Sequence, residues 1–466
     1  MVMAAVTGSR LEVLCVSVTD MLNGAEHVML DVAAGIDRSR CRAAIAVPGE
    51  GAVSREARAR DLDVFVVPAP RWLPFAHDPA PASYHWRRYW CNARTFVDPL
   101  AQIIRRRGID VVYSASGTVL HGALAAAVCG RPHVHHVQEL LGDRRLGLVM
   151  PGGRARRAYQ LIGALATRVI GICGASERDA GGAIGAAKWR TVRTGFHPIP
   201  PDGPVMPLPT AEQASVRVGI IGGVWEPKGA GLIAPIVQRV CRQLPGVHFY
   251  WLGPGRPECM EQIAREACVG GTPHLHFLGY RDKVAPFLRA VDFVLHPSRS
   301  ECFSRVLVEA ALARRPAVAT RCGGTSEIVI DGVSGVLTAV DDVDAMAAAV
   351  ARLANDRALV ERLGCAAARH AAGFTMDAFV RDVEQVLFEA YRAGGALPGP
   401  VRLALRAFLL APSVIVPPVR TLRRAGRLMS GGDPAHASTL VRDWGMGACP
   451  GTLASERVTA RRRERR

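Results

Sequence analysis

SRSECFSRVLVEAALARRPAVATRCGGTSEIVIDGVSGVL, residues 298–337, is the stretch on which the reading of this chain turns. It is preceded by an apolar run, Val291-Asp292-Phe293-Val294-Leu295-His296, which ends at Pro297 and reads as a buried strand meeting its terminal loop. Ser298 to Glu301 form that loop. A helix then opens with Val306, Leu307, Ala310 and Ala311 as its apolar stripe. Glu301 and Glu309 flank the helix start, eight positions apart. On a continuous helix that spacing is about 12 Å, too far for two carboxylates to act on one glycosidic bond as an acid–nucleophile pair. It suits a pair that grips opposite ends of one extended ligand, with helix N-terminal amides offered to an anionic centre between them. A capping carboxylate plus a solvated face is the simpler account of two such glutamates taken alone.

The wider pattern resembles the donor-site region of retaining GT-B glycosyltransferases, specifically glycosyltransferase family 4. The family form is roughly PS-x-x-E-G-F-G-x-x-x-x-E-A, then P-V-V-A-T, then G-G-x-x-E. Pro297, Ser298, Glu301, Phe303, Glu309, Ala310, Pro316, Val318, Ala319, Thr320, Gly323, Gly324 and Glu327 match it, while Cys302 and Ser304 replace the two glycines beside the phenylalanine. The resemblance implies an α/β chain of two Rossmann-like domains facing across a cleft and covers about residues 10–393.

The rest of the chain is compatible with that class. Its 466 residues allow about two to four domains, and 49% of them are hydrophobic, so the chain is globular rather than disordered. Twelve cysteines lie scattered with no C-x-x-C and no zinc-like spacing. Cys15, Cys129, Cys173 and Cys241 sit inside apolar runs, as small core residues in a reducing cytosol do. The N-terminus reads as a first strand rather than a signal peptide. Net charge is +17, with basic clusters at Arg87-Arg88, Arg105 to Arg107, Arg144 to Arg157 and along the tail from Arg402. Such charge fits an anionic membrane, nucleic acid or solubility alone. No aromatic-rich basic platform accompanies it, so nucleic acid is set aside.

Strand-like and helix-like segments alternate through two halves, the pattern of parallel sheets with helices on both faces. Strands are expected near 11–18, 43–47, 64–67, 109–113, 133–137, 169–172, 216–221, 247–252, 274–278, 292–295 and 317–319. The proline-rich, aperiodic segment His197–Gln213 is the natural interdomain connection. The expected division is a first, acceptor-side domain over 1–200, a linker over 201–214 and a sugar-nucleotide-binding domain over 215–375. A crossover helix over 376–393 and a basic tail over 394–466 follow. In the tail prolines interrupt every apolar run before it reaches the ~20 residues that span a bilayer, leaving an interfacial or disordered segment.

Four further motifs bear on function. Gly222-Gly223-Val224-Trp225-Glu226-Pro227-Lys228-Gly229 resembles the family's G-R-L-x-x-x-K-G element. The resemblance gives Lys228 the diphosphate, whose negative charge grows as the sugar leaves, while Gly223 stands where the family has arginine. Asn23-Gly24-Ala25-Glu26 resembles the G-G-A-E loop, where a small residue such as Gly24 lets amides approach a phosphate or acceptor. Pro132 to Glu139, PHVHHVQE, is similar to the family's P-V-V-x-H-x-H-E strand end, with Gln138 in place of a near-catalytic histidine; Gln138 and Glu139 are cleft candidates or structural hydrogen-bonding groups. Strand alternation puts His133 and His135 on one face and His136 on the other, which argues against a metal. Asp61-Leu62-Asp63 and Asp342-Val343-Asp344 have the spacing of a metal-binding pair, but the second is better explained as a helix cap. No metal and no cofactor are expected.

The implied activity is retaining transfer of a sugar from a nucleotide-sugar to a glycan, lipid-linked or cell-envelope acceptor. Glu301 and Lys228 would be catalytic, and Glu309, Phe303, Ser304, Gly223 and Cys302 would form the donor site. Two alternatives stay open: a catalytically degenerate glycosyltransferase-like binding protein, and a sugar-nucleotide epimerase or hydrolase of the same fold. The expected location is cytoplasmic, peripheral on the inner face of the cell membrane.

Overall fold

The computed structural model describes residues 10–410 except 77, 211 and 213. Thirteen strands lie among the described residues. Those of the first half are β1 (Leu11–Val16), β2 (Cys41–Val47), β3 (Asp63–Val66), β4 (Val111–Ala115), β5 (His133–Val137), β6 (Arg168–Gly171) and β7 (Trp189–Thr191). The second half supplies β8 (Val216–Ile221), β9 (Val247–Leu252), β10 (Leu275–Gly279), β11 (Phe293–His296), β12 (Ala317–Thr320) and β13 (Gly335–Thr338). They form two sheets, ordered β3-β2-β1-β4-β5-β6-β7 and β10-β9-β8-β11-β12-β13, and the ladders are parallel. Helices cover both faces of each, so strands such as β1 (LEVLCV) and β9 (VHFYWL) are apolar nearly throughout instead of alternating. Two doubly wound domains, as expected from the resemblance, are present.

The strand order fixes where ligands belong. In each sheet the order reverses between the first and fourth strands, at β1/β4 and at β8/β11. The loops leaving the carboxyl ends of strands at such a reversal splay apart and open a crevice. The loop after β8 carries Gly223 and Lys228, and the loop after β11 carries Glu301.

The helix Met376–Ala393 leaves the second domain and packs on the first. Its Thr375 cap accepts from Ala378 N (3.3 Å), and Phe379, Val383 and Leu387 are buried among Val28, Val32, Val111 and Tyr113. Gly35 of helix Gly24–Gly35 makes room for Val380. Arg190 and Arg168 hold Glu389 at 2.8 and 3.3 Å. The segment read as a tail begins with more structure than its composition indicates: helix Gly399–Leu410 lies against helices Ala93–Arg106 and His121–Cys129, with Leu397 and Val401 buried in the first domain's core. Residues 411–466, which carry most of the tail arginines, are outside the described residues.

Strands β7 and β13 go beyond the sequence reading, as do several helices, among them Ala82–Cys91, Pro257–Glu266 and Arg357–Ala371. β7 is three residues long and β13 reads GVLT, too short for periodicity to register. The stripe of helix Arg305–Leu312 also differs, since Val308 is fully buried and Val306 only partly. Val306 and Val308 face separate apolar clusters on either side of this helix.

Replacing Phe379 by alanine removes a fully buried ring from the seam between the crossover helix and the first sheet. Chemical denaturation should show a loss of about 3–5 kcal/mol in the transition that reports the first domain.

Candidate active site

Glu301 is the centre of the site. It is buried, and its Oε1 accepts from Lys228 Nζ at 2.5 Å, His296 Nε2 at 3.0 Å and Ser298 Oγ at 2.8 Å. All three reach the same oxygen, and Oε2 takes none of these bonds. Burial alone would raise this carboxyl, but the charges and hydrogen bonds of Lys228 and His296 outweigh it and hold it well below the usual carboxylate range. Glu301 is therefore an ionised acceptor at any physiological pH, not a proton donor.

Local backbone geometry builds this arrangement. Lys228 ends a short 3-10 turn, Glu226–Lys228, and Gly229 follows at φ +76°, where a Cβ would run into the Pro297 carbonyl. The two loops are then stitched together, as Arg299 N and Ser300 N both donate to Pro227 O (2.9 and 3.3 Å). Arg299 also pairs with Glu226 and Asp341. Lys228 thus comes from one switch-point strand and Glu301 from its neighbour. The Trp225 indole lies across Gly223, and any side chain there would clash with it. That explains the glycine where the family pattern has arginine: the tryptophan occupies the space, and one cation is absent from this loop.

Glu309 stands on the second turn of helix Arg305–Leu312, with Arg305 Nη2 3.7 Å away. Burial pushes its carboxyl up, and Arg305 draws it partly back. Ser304, at the helix start, sets its hydroxyl 3.2 Å from His296 Nε2 and so joins the Glu301 cluster indirectly. The Phe303 ring is buried among Ile172, Phe196, Leu307 and Phe374, so what it offers a ligand is backbone. Cys302 faces the other domain: Cys173 Sγ donates to its carbonyl at 3.1 Å and lies 3.8 Å from its Sγ.

Across the crevice, Gly24 opens helix Gly24–Gly35 and lies against the Arg305 side chain. Gln138 Nε2 donates to Ala25 O (3.4 Å), tying β5's end to that helix start. Glu139 is occupied within its own domain. It accepts from Ser116 Oγ, Gly117 N (2.7 Å) and Gln138 N (3.2 Å), clasping the loop after β4, where Ser116 sits at φ +139°. Beside it Glu26 is buried, accepts from Ser17 Oγ (3.2 Å), and is pushed up to about 7 by burial. His133 and His135 are neighbours, with ring centroids 5.3 Å apart, while His136 contacts Tyr113 on the other side; burial drives all three below the usual histidine range. Asp342 caps helix Val343–Asn355 by accepting from Ala345 N (2.9 Å). The domains are latched by Glu327, whose carboxylate accepts from Ala175 N (3.2 Å) and Arg193 Nε (3.3 Å).

Sequence reasoning passed over His296 and Arg305. The signal for the first was present: a histidine as the last residue of an apolar strand, immediately before the loop that carries a glutamate.

Lys228→Met should destabilise the protein by about 1–3 kcal/mol at pH 7, discounted because the lysine is one-third exposed. With its pKa depressed in the fold, Glu301 contributes stability above its unfolded pKa and loses that contribution as pH falls through the folded one. In the variant burial dominates, and ionising the group costs stability instead. The gap between the two proteins in urea titrations should therefore narrow steadily on acidification below about pH 5.

Residues 23–195 match the family described as glycosyl transferase 4-like domain, and residues 215–356 match glycosyl transferases group 1. Over 125 residues the chain is 35% identical to a D-inositol 3-phosphate glycosyltransferase of Streptomyces griseus, covering 27% of this chain and 26% of that protein. Over 129 residues it is 31% identical to the lipopolysaccharide core biosynthesis glycosyltransferase LpsE of Rhizobium meliloti, covering 28% and 37%. The alignable part thus spans well under two thirds of these curated relatives. Among solved structures, Anabaena HepE in complex with UDP and glucose superimposes with a TM-score of 0.64 at 22% identity, over 81% of this chain and 100% of that one. At that identity the likeness is one of fold. With one family match on each sheet domain, the chain belongs to the group 1, family 4-type glycosyltransferases and has their GT-B fold.

Proposed function

We propose that this protein is a glycosyltransferase that moves a sugar from a nucleotide-sugar donor to an acceptor hydroxyl with retention at the anomeric carbon. The observation that carries the reading is the ionised Glu301, with three donors on Oε1 and none of them on Oε2, beside a lysine able to meet an anion. Oε2 is free to orient hydroxyls of the donor sugar, and its charge favours positive charge at the anomeric carbon. Glu309 would accept hydrogen bonds from the ribose, while Lys228 and the amides near Phe303 and Ser304 hold the diphosphate. The bond from the anomeric carbon to the phosphate oxygen breaks, and its electron pair stays on that oxygen. The acceptor oxygen bonds the same carbon from the same face and gives its proton to the departing phosphate. An always-ionised Glu301 is suited to stabilising this charge and not to supplying the proton.

The acceptor is proposed to be a glycan or a lipid-linked or cell-envelope sugar. The named lipopolysaccharide core relative and the arginine-rich chain after residue 410 support it. No helix among the described residues is long and apolar enough to cross a membrane; the membrane contact proposed is a peripheral one, through the basic segment. Ending the chain at residue 410 keeps the packed helix Gly399–Leu410 and removes the basic segment. That variant should no longer pellet with anionic vesicles that bring down the full chain, and a full chain that never pellets would remove the membrane part of the proposal.

The first test is thermal stabilisation against UDP-, GDP- and ADP-sugars. One nucleotide class should raise the melting temperature, and Glu309→Ala should abolish most of that rise. With the donor so identified, Lys228→Ala should lower kcat by about 10²–10³. A donor that binds wild type normally yet is never turned over with any acceptor points to a degenerate binding protein.

A further inference from the structure

Within the proposed donor site the cations do not balance the ligand. A nucleoside diphosphate brings at least two negative charges, whereas Lys228 is already matched by Glu301 and Gly223 contributes none. Arg305 lies four residues after Glu301 and four before Glu309, between the group assigned to the sugar and the group assigned to the ribose. Its Nη1 is shut off from water yet has no hydrogen-bond partner. A buried guanidinium N–H left unpaired is costly and uncommon. Its nearest carboxylate, Glu309, stands 3.7 Å from Nη2, beyond hydrogen-bond distance. The side chain is pinned on two sides by the opposite domain: the guanidinium lies 5.0 Å from the centre of the Phe196 ring, and its aliphatic part lies against Gly24.

We propose that Arg305 is a donor-binding residue that reaches the diphosphate from the start of helix Arg305–Leu312 and supplies the second cation of the site. The inference rests on the glycosyltransferase reading above. It assigns the diphosphate a position between Glu301 and Glu309, at the seam where Gly24 meets Arg305. The Arg305 side chain keeps 28% of its surface exposed, and it is this open side, rather than the enclosed Nη1, that meets an anion with a charge-assisted hydrogen bond. Since Phe196 and Gly24 belong to the first domain, the same contact would make diphosphate affinity depend on the two domains being together.

The test compares binding of nucleosides and nucleoside diphosphates (uridine, guanosine and adenosine against UDP, GDP and ADP) by calorimetry. Wild type, Arg305→Met and Arg305→Lys are measured, with melting temperatures reporting folding. Arg305→Met should weaken the preferred diphosphate by about tenfold or more and leave its nucleoside within about twofold. Arg305→Lys, which keeps the charge but not the planar fork, should fall between. Diphosphate affinity unchanged in Arg305→Met, or an equal loss for nucleoside and diphosphate, overturns the proposal; the latter means that Arg305 acts only by holding Glu309. Folded wild type that binds none of the three diphosphates overturns the donor-site reading itself, an outcome distinct from both.

Discussion

A carboxylate placed out of water between two sheets governs how this site is built. Ionised Glu301 tolerates burial only because a cation and two further donors converge on one of its oxygens. Each of those partners imposes a requirement on the chain. Lys228 must be delivered from the neighbouring strand, which takes a left-handed glycine at 229 and two amides donating to Pro227. His296 must end β11 with its ring turned toward the loop, and Ser304 supports that ring from the next helix. Loop shape, strand order and electrostatics are consequently one problem with one solution.

The domain seam adds a second level. Cys302, Phe303 and Gly324 pack directly on Cys173 and Ile172 of the first domain, and Glu327 caps the same joint. Residues that a motif comparison places together as donor-site residues therefore divide by task. Glu301, Ser304 and Glu309 set charge and hydrogen bonds, whereas Phe303 and Cys302 set the distance between domains. Glu139 falls in neither group, because its carboxylate is spent on the strained loop at Ser116.

Much of the architecture was legible because buried parallel strands advertise themselves as apolar runs ended by glycine or proline, as β8, β9 and β11 do. Loop positions followed from strand ends, while the roles expected of Lys228 and Glu301 came from the motif resemblance and their contact with each other did not. What escaped the sequence was pairing that depends on side-chain direction. That His296 would face Glu301, or that the Trp225 ring would cover Gly223, is set by rotamers and by loop closure, neither of which has a period. The short strands β7 and β13 escaped for a different reason, since their stability comes from adding to an existing edge rather than from their own residues. Composition also misjudged helix Gly399–Leu410, whose arginines hide an apolar side that the first domain was shaped to receive.

The crossover helix sets the order in which the molecule can be completed. Met376–Ala393 covers a face of the first sheet, so that face stays bare while the whole second domain is being made. At ribosomal speeds of ~5–20 residues per second, the interval between the end of β7 and the end of this helix is on the order of 10–40 s. Through that interval Val28, Val32 and Tyr113 lack their final cover, and a nascent chain stalled or cleaved before residue 376 would be left with an adhesive, unfinished half. Synthesis through residue 393 is thus a condition for the first domain to be fully covered, although the helix that covers it is separated from that domain by a complete second fold.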